Sequence, residues 1–176
     1  KIVKLIREHD RPEMIILFGS YARGDWVEEL FEFDHLPPKD LKLTEPLYKY
    51  QSDFDILIVL ETKSEHAQKK VELKIDHLVD QRNDIKTPVS LIVHDIHFVN
   101  RRLRKGQYFF SDIKKDGIIL YNSERYQLTE PADLSPKELA VLAEDDFDYW
   151  FENAHEFWLD FQYAFNRGGN NNAAFL

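Results

Sequence analysis

Apolar residues in the first two thirds of the chain fall into short runs separated by polar stretches of a different period. Met14 to Phe18 is an unbroken apolar run that stops at Gly19, and Phe54 to Leu60 is a second, interrupted only by Asp55. Pro88 to Val93 and Gly117 to Tyr121 complete a set of four. Runs of this length, bounded by turn residues, predict buried strands. Between them the spacing lengthens. Ile2, Val3, Leu5 and Ile6 predict a short amphipathic helix before Pro12, and Val71, Ile75, Leu78 and Val79 mark one face of a helix over 64–82. Asp95 stands where it would cap a helix running to about Arg104. Residues 26–50, with Pro37-Pro38 and Pro46, read as a long loop or insertion. Strands alternating with helices predict an α/β or α+β sheet domain over residues 1–121.

The pattern then changes. Residues 122–134 are polar and read as a linker. Ser135, Pro136 and Glu138 occupy the N-cap, N1 and N3 positions of a helix start. Apolar positions 147, 150, 151, 154, 157, 158, 161, 164 and 165 follow at steps of three and four, which predicts one long helix ended by Asn166-Arg167-Gly168-Gly169. Asn170 to Leu176 reads as the start of another helix. Residues 147–165 hold nine of the chain's 24 aromatics. A single helix cannot bury such a face, so partner helices are expected, from chain beyond Leu176 or from another subunit; folding back on the sheet domain is the alternative.

Composition narrows the classes. The 176 residues include no Cys, which excludes a disulfide scaffold, a zinc ribbon and a thiol nucleophile. No apolar stretch is long enough to span a bilayer, and the charged opening KIVKLIREHD is unlike a signal peptide, so a cytoplasmic location is expected. A net charge of −9 argues against a broad grip on duplex DNA.

Two segments carry chemistry. In Leu17-Phe18-Gly19-Ser20-Tyr21-Ala22-Arg23-Gly24-Asp25 a strand ends in Gly-Ser and opens a short helix. Free backbone N–H groups and a hydroxyl there suit a phosphate, which glycine lets approach closely. In Ser52-Asp53-Phe54-Asp55-Ile56 the strand period puts both carboxylates on one face and Phe54 on the other. Adjacent carboxylates repel unless a cation sits between them, and Mg²⁺ bridging to substrate phosphates is the natural occupant. A phosphate cradle beside a metal-binding pair predicts phosphoryl or nucleotidyl transfer.

GSYARGD followed by SDFDILIVL resembles the nucleotidyltransferase domain of the DNA polymerase beta superfamily, and within it the minimal nucleotidyltransferases of prokaryotes. The segment EDDFDYWFENAHEFWLDFQYAFNRGGNNNAAFL resembles the first helices of a HEPN domain; the two modules occur fused or as toxin–antitoxin neighbours. The resemblance implies an α+β fold: a mixed sheet with flanking helices over 1–121, then an incomplete all-α bundle over 135–176. It assigns Gly19, Ser20 and Arg23 to nucleotide binding, and Asp53 and Asp55 to catalysis and to one or two Mg²⁺ ions. It implies transfer of AMP from ATP to a hydroxyl of a protein or RNA, with a homodimer or oligomer formed through the helical domain.

The sequence departs from that pattern in three places. The gap from Ser20 to Asp53 is long. The position expected to hold a third acid is Ser90, whose hydroxyl cannot act as a carboxylate base; Asp95, Glu61 and Asp76 are substitutes to be tested. From residue 125 onward there is no Arg followed four to six residues later by His, the pair found in RNA-cleaving HEPN domains. A nucleotide-binding regulatory module with weakened catalysis is therefore the alternative reading. Arg101-Arg102-Leu103-Arg104-Lys105 reads as a phosphate contact or a solvated helix end, Tyr108-Phe109-Phe110 as core or a base-stacking platform, and His94 and His97 as polar junction residues.

Overall fold

The structure is a computed structural model that describes residues 1–28, 30–32, 48–61 and 63–168. Expectations for Pro37-Pro38, Pro46 and the segment 169–176 fall outside these residues. The chain divides into one compact unit over Lys1–Ala132 and a second from Asp133 onward.

The first unit is built on a four-stranded mixed sheet, so the fold is α+β. Strands β1 (Met14–Phe18), β4 (Phe54–Leu60), β5 (Val89–Asp95) and β6 (Ile118–Asn122) stand in the order β5-β4-β1-β6. β1 runs antiparallel to both β4 and β6, and β4 runs parallel to β5. The parallel pair is joined by the crossover helix α3 (Glu65–Asp80), as parallel neighbours require.

Alternation along the central strand sorts the core into two layers. Ile56, Ile58 and Leu60 of β4 join Ile15, Val93 and residues of α1 (Ile2–His9) and α3 on one face. Leu57 and Val59 join Met14, Ile16 and residues of α4 (Ile96–Arg104) and α5 (Tyr108–Asp116) on the other. Both faces are covered, which is why β4 reads as a continuous apolar run once past Asp55. Helix α3 starts at Ser64, whose hydroxyl accepts from Ala67 N–H at 3.3 Å, and α4 starts at Asp95, which accepts from Phe98 N–H at 2.9 Å.

Residues 26–50, expected as a long loop or insertion, include two short strands. β2 (Leu30–Glu32) and β3 (Tyr48–Tyr50) pair antiparallel, Leu30 opposite Tyr50. After β6 the chain is fastened back onto the sheet unit. Glu13 is fully buried, and its carboxylate accepts from the Arg125 guanidinium and the Ser123 hydroxyl. Tyr126 and Leu128 pack against the second core layer.

The second unit contains one described helix, α6 (Pro136–Asn166), with a capping box in which Ser135 and Glu138 satisfy each other's backbone N–H groups. The Glu138 carboxyl lies below its ordinary range because it accepts from the Ser135 side chain and then from its backbone. Among the described residues no helix is long and apolar enough to cross a membrane.

Candidate nucleotidyltransferase site

The site lies where the ends of three strands meet. β1 finishes at Phe18, and Gly19 turns the chain into α2 (Gly19–Arg23) with φ at +71°. The register places Phe18 opposite Asp55 on β4, so the turn lies against the second carboxylate. A side chain at position 19 would collide with Asp55 Oδ2. Glycine is demanded here twice, by the left-handed backbone and by the closeness of the carboxylate. Gly24 ends α2 with φ at +83°, and the N–H groups of Gly24 and Asp25 both donate to Ser20 C=O.

β4 and β5 supply the other side. Asp55 pairs in register with Ser90, and Phe54 N–H donates to Pro88 C=O at 2.8 Å at the strand entrance. The Ser90 hydroxyl donates to Asp53 Oδ2, a link between two strands 37 residues apart. Ser90 thus occupies the place beside the paired aspartates that the sequence suggested for it. Asp55 is half-buried and its pKa is raised, first by burial and then by the negative charge of Asp53, with Arg23 pulling the other way. Arg23 also donates to Asp25 at 3.2 Å.

The other acids considered for the third position lie elsewhere. Asp95 pairs with Leu60, five residues further along β4 than Asp55, or about 16 Å at strand rise. It caps α4 and accepts from the Gln68 amide at 3.1 Å. Glu61 accepts from the Tyr126 hydroxyl and faces Arg125. Asp76 lies exposed on α3. Among the described residues no group of three or more His, Cys, Asp or Glu side chains could hold a metal.

Two protein carboxylates with a hydroxyl between strands nevertheless fit Mg²⁺. The donors are hard oxygens, the ion commonly takes only one or two carboxylates plus substrate phosphates, and a dication would offset both the burial and the Asp53 repulsion that raise Asp55. Asp53 and Asp55 would hold it.

Several supporting residues were not evident from sequence. Ser52 is buried; its hydroxyl accepts from Val27 N–H and its own N–H donates to Val27 C=O, both at 2.9 Å, which ties the segment after α2 to the start of β4. Its place in the Ser-Asp-x-Asp run was the available signal. Tyr21 lies between Trp26, stacked at 5.3 Å, and Phe54 at 4.3 Å, so it packs rather than projects. A cleft of about 420 Å³ beside the turn is lined by Phe18, Gly19, Arg23, Phe109, Asp112 and Asp116. The remaining candidates are structural. Phe110 is buried, Phe109 packs edge-on to Phe18 and Phe110, and Arg102 lies over the Phe98 ring at 4.8 Å. His94 stacks on Phe98, and burial holds its pKa below the ordinary value. His97 meets Tyr126 edge-on.

The mixed sheet, the Gly-Ser turn at the end of β1 and the acid pair beginning β4 place the molecule among the nucleotidyltransferases. Residues 1–126 match the family described as polymerase beta, nucleotidyltransferase, and the chain belongs to that family. No curated protein matches it. A crystal structure assigned as a nucleotidyltransferase from Sulfolobus solfataricus aligns over 73% of this chain and 81% of its own, at 21% identity and a TM-score of 0.39. A chain from a mutant of the toxin–antitoxin pair MntA–HpeT aligns over 90% and 93%, at 14% identity and a TM-score of 0.32.

Proposed function

We propose that the first unit transfers a nucleoside monophosphate, AMP from ATP, to a hydroxyl of a protein or RNA acceptor, with pyrophosphate leaving. The observation that carries this reading is the seating of the Gly19 turn directly on Asp55, which brings a phosphate cradle and an acid pair into one site. Backbone N–H groups at the start of α2 and the Ser20 hydroxyl would hold the triphosphate, and Arg23 would add positive charge beside it. Mg²⁺ bound by Asp53 and Asp55 would neutralise the phosphates and steady the leaving group. Ser90 holds Asp53 in one orientation through its hydroxyl hydrogen bond.

The test is transfer of label from α-labelled ATP to protein or RNA in Mg²⁺ or Mn²⁺. Transfer should be present in the native chain and lost in Asp53→Ala and in Asp55→Ala. No transfer to any acceptor would count against an enzyme.

Ser90 favours a second reading. A hydroxyl where a carboxylate base would stand points to a nucleotide-binding module with weak catalysis, regulating an attached helical domain. That reading expects calorimetric binding of ATP with Mg²⁺ and negligible turnover. In the second reading α6 begins the helical domain that is regulated, and in both readings the setting is a toxin–antitoxin type system. The absence of an Arg–His pair from residue 125 onward leaves RNA cleavage without a candidate in this chain.

A further inference from the structure

Helix α6 carries two surfaces of opposite character. At 100° per residue Phe147, Phe151, Phe157, Trp158 and Phe165 share one stripe, about 120° wide, centred on Ala154. Each of these five rings is more than half exposed. Phe147 stacks on Phe151, and Phe161 stacks on both Trp158 and Phe165, so the rings form an ordered ridge. Together they leave on the order of 600 Å² of aromatic surface uncovered, near one partner's share of a standard interface. Isolated soluble proteins rarely expose so large an apolar patch without using it.

The charge around the stripe selects the occupant. Glu144 and Asp148 flank it on one side, Asp146 and Asp160 on the other. The helix as a whole carries eight carboxylates against one lysine. A second copy of α6, laid parallel or antiparallel, would bring acid against acid along both rims, an arrangement that opposes pairing. Lys and Arg flanking an apolar seam would instead meet all four rim carboxylates while covering the rings.

We infer that the aromatic stripe of α6 is a docking surface for a cationic amphipathic helix, with an apolar seam bordered by Lys or Arg. The inference rests on α6 alone, so its failure would leave the transferase reading untouched.

The full chain is titrated with two labelled helical peptides that share a leucine seam, one with lysine flanks and one with glutamate flanks. Anisotropy and tryptophan fluorescence report binding. The lysine-flanked peptide should bind at least about tenfold more tightly and weaken as salt is added. Trp158→Ser with Phe151→Ser should remove that binding while leaving every charge in place. Reversing the rim with Glu144→Lys, Asp146→Lys, Asp148→Lys and Asp160→Lys should transfer the preference to the glutamate-flanked peptide. All of these positions are exposed except Asp146, which is half-buried, so the variants are expected to fold, which circular dichroism checks. Absence of binding, equal binding of both peptides, or binding that survives loss of the rings would overturn the inference. Sedimentation showing a tight dimer of the native chain, abolished by the ring substitutions, would overturn it in favour of a second copy.

Discussion

Gly19 is the residue on which the site's geometry turns. Gly19→Ala puts a methyl group into the Asp55 carboxylate and strains a left-handed backbone, at about 1–2 kcal/mol for the backbone alone. The variant should remain folded by circular dichroism yet show no calorimetric heat with ATP and Mg²⁺. Binding at native affinity would mean the turn is not the phosphate cradle. Ser90 allows the opposite experiment. Ser90→Asp restores a carboxylate beside Asp53 and should raise transfer about tenfold or more, as addition of a general base does. An unchanged rate would show that something else limits the chemistry. His94 gives a pH signature. Its folded pKa lies below the ordinary 6.5, so the unfolded chain takes up the proton first as pH falls. The native state therefore loses stability below about pH 6.5. His94→Phe keeps a ring against Phe98 and should reduce the fall in melting temperature between neutral and mildly acidic pH. The paired acids and the Gly-Ser turn were legible in sequence because their chemistry depends on spacings of one and two residues. The Ser90 hydrogen bond depends on the β4–β5 register, which the crossover through α3 sets.

At the level of elements, the four strands stand out because both sheet faces are covered, which makes the central strand almost uniformly apolar. Helix α5 was less visible for physical reasons. It has nine residues, its N-cap Gln107 makes no side-chain capping bond, and it opens with three aromatics that suit a strand equally well. Only Phe110 and Ile113 of α5 are buried, too few to establish a helical period. One wall of the cleft beside Gly19 went unseen with it. Residues 122–134 read as linker because a polar composition says nothing of partners, yet Arg125 meets the buried Glu13. Arg125→Ala would leave that carboxylate buried and short of its cation, so the melting temperature should fall by several degrees. Glu13→Gln, which keeps a polar group of the same shape without the charge, should cost less. Equal losses would show that the ion pair is not what fastens this segment.

Across the whole molecule, charge is unevenly distributed. Helix α6 carries −7 of the chain's −9, so the nucleotidyltransferase unit is close to neutral and offers little general repulsion to an anionic nucleotide. Binding should then register as stability. Saturating ATP with Mg²⁺ at about 100 times the dissociation constant would stabilise the folded unit by about 2.7 kcal/mol. Thermal melts should shift upward in the native chain and stay flat in Asp53→Ala and Asp55→Ala. No shift in the native chain would count against both the enzymatic and the regulatory reading. The same uneven distribution explains why net charge read from sequence says little about the site.

Ser90 is exposed at the margin of the sheet, and its only described side-chain partner is Asp53. No core residue depends on what occupies that position. An acid in place of the hydroxyl there is therefore expected to cost the fold little, which a thermal melt of Ser90→Asp checks. The two readings of the site, turnover or binding alone, would then be separated by one side chain on which the fold does not rest.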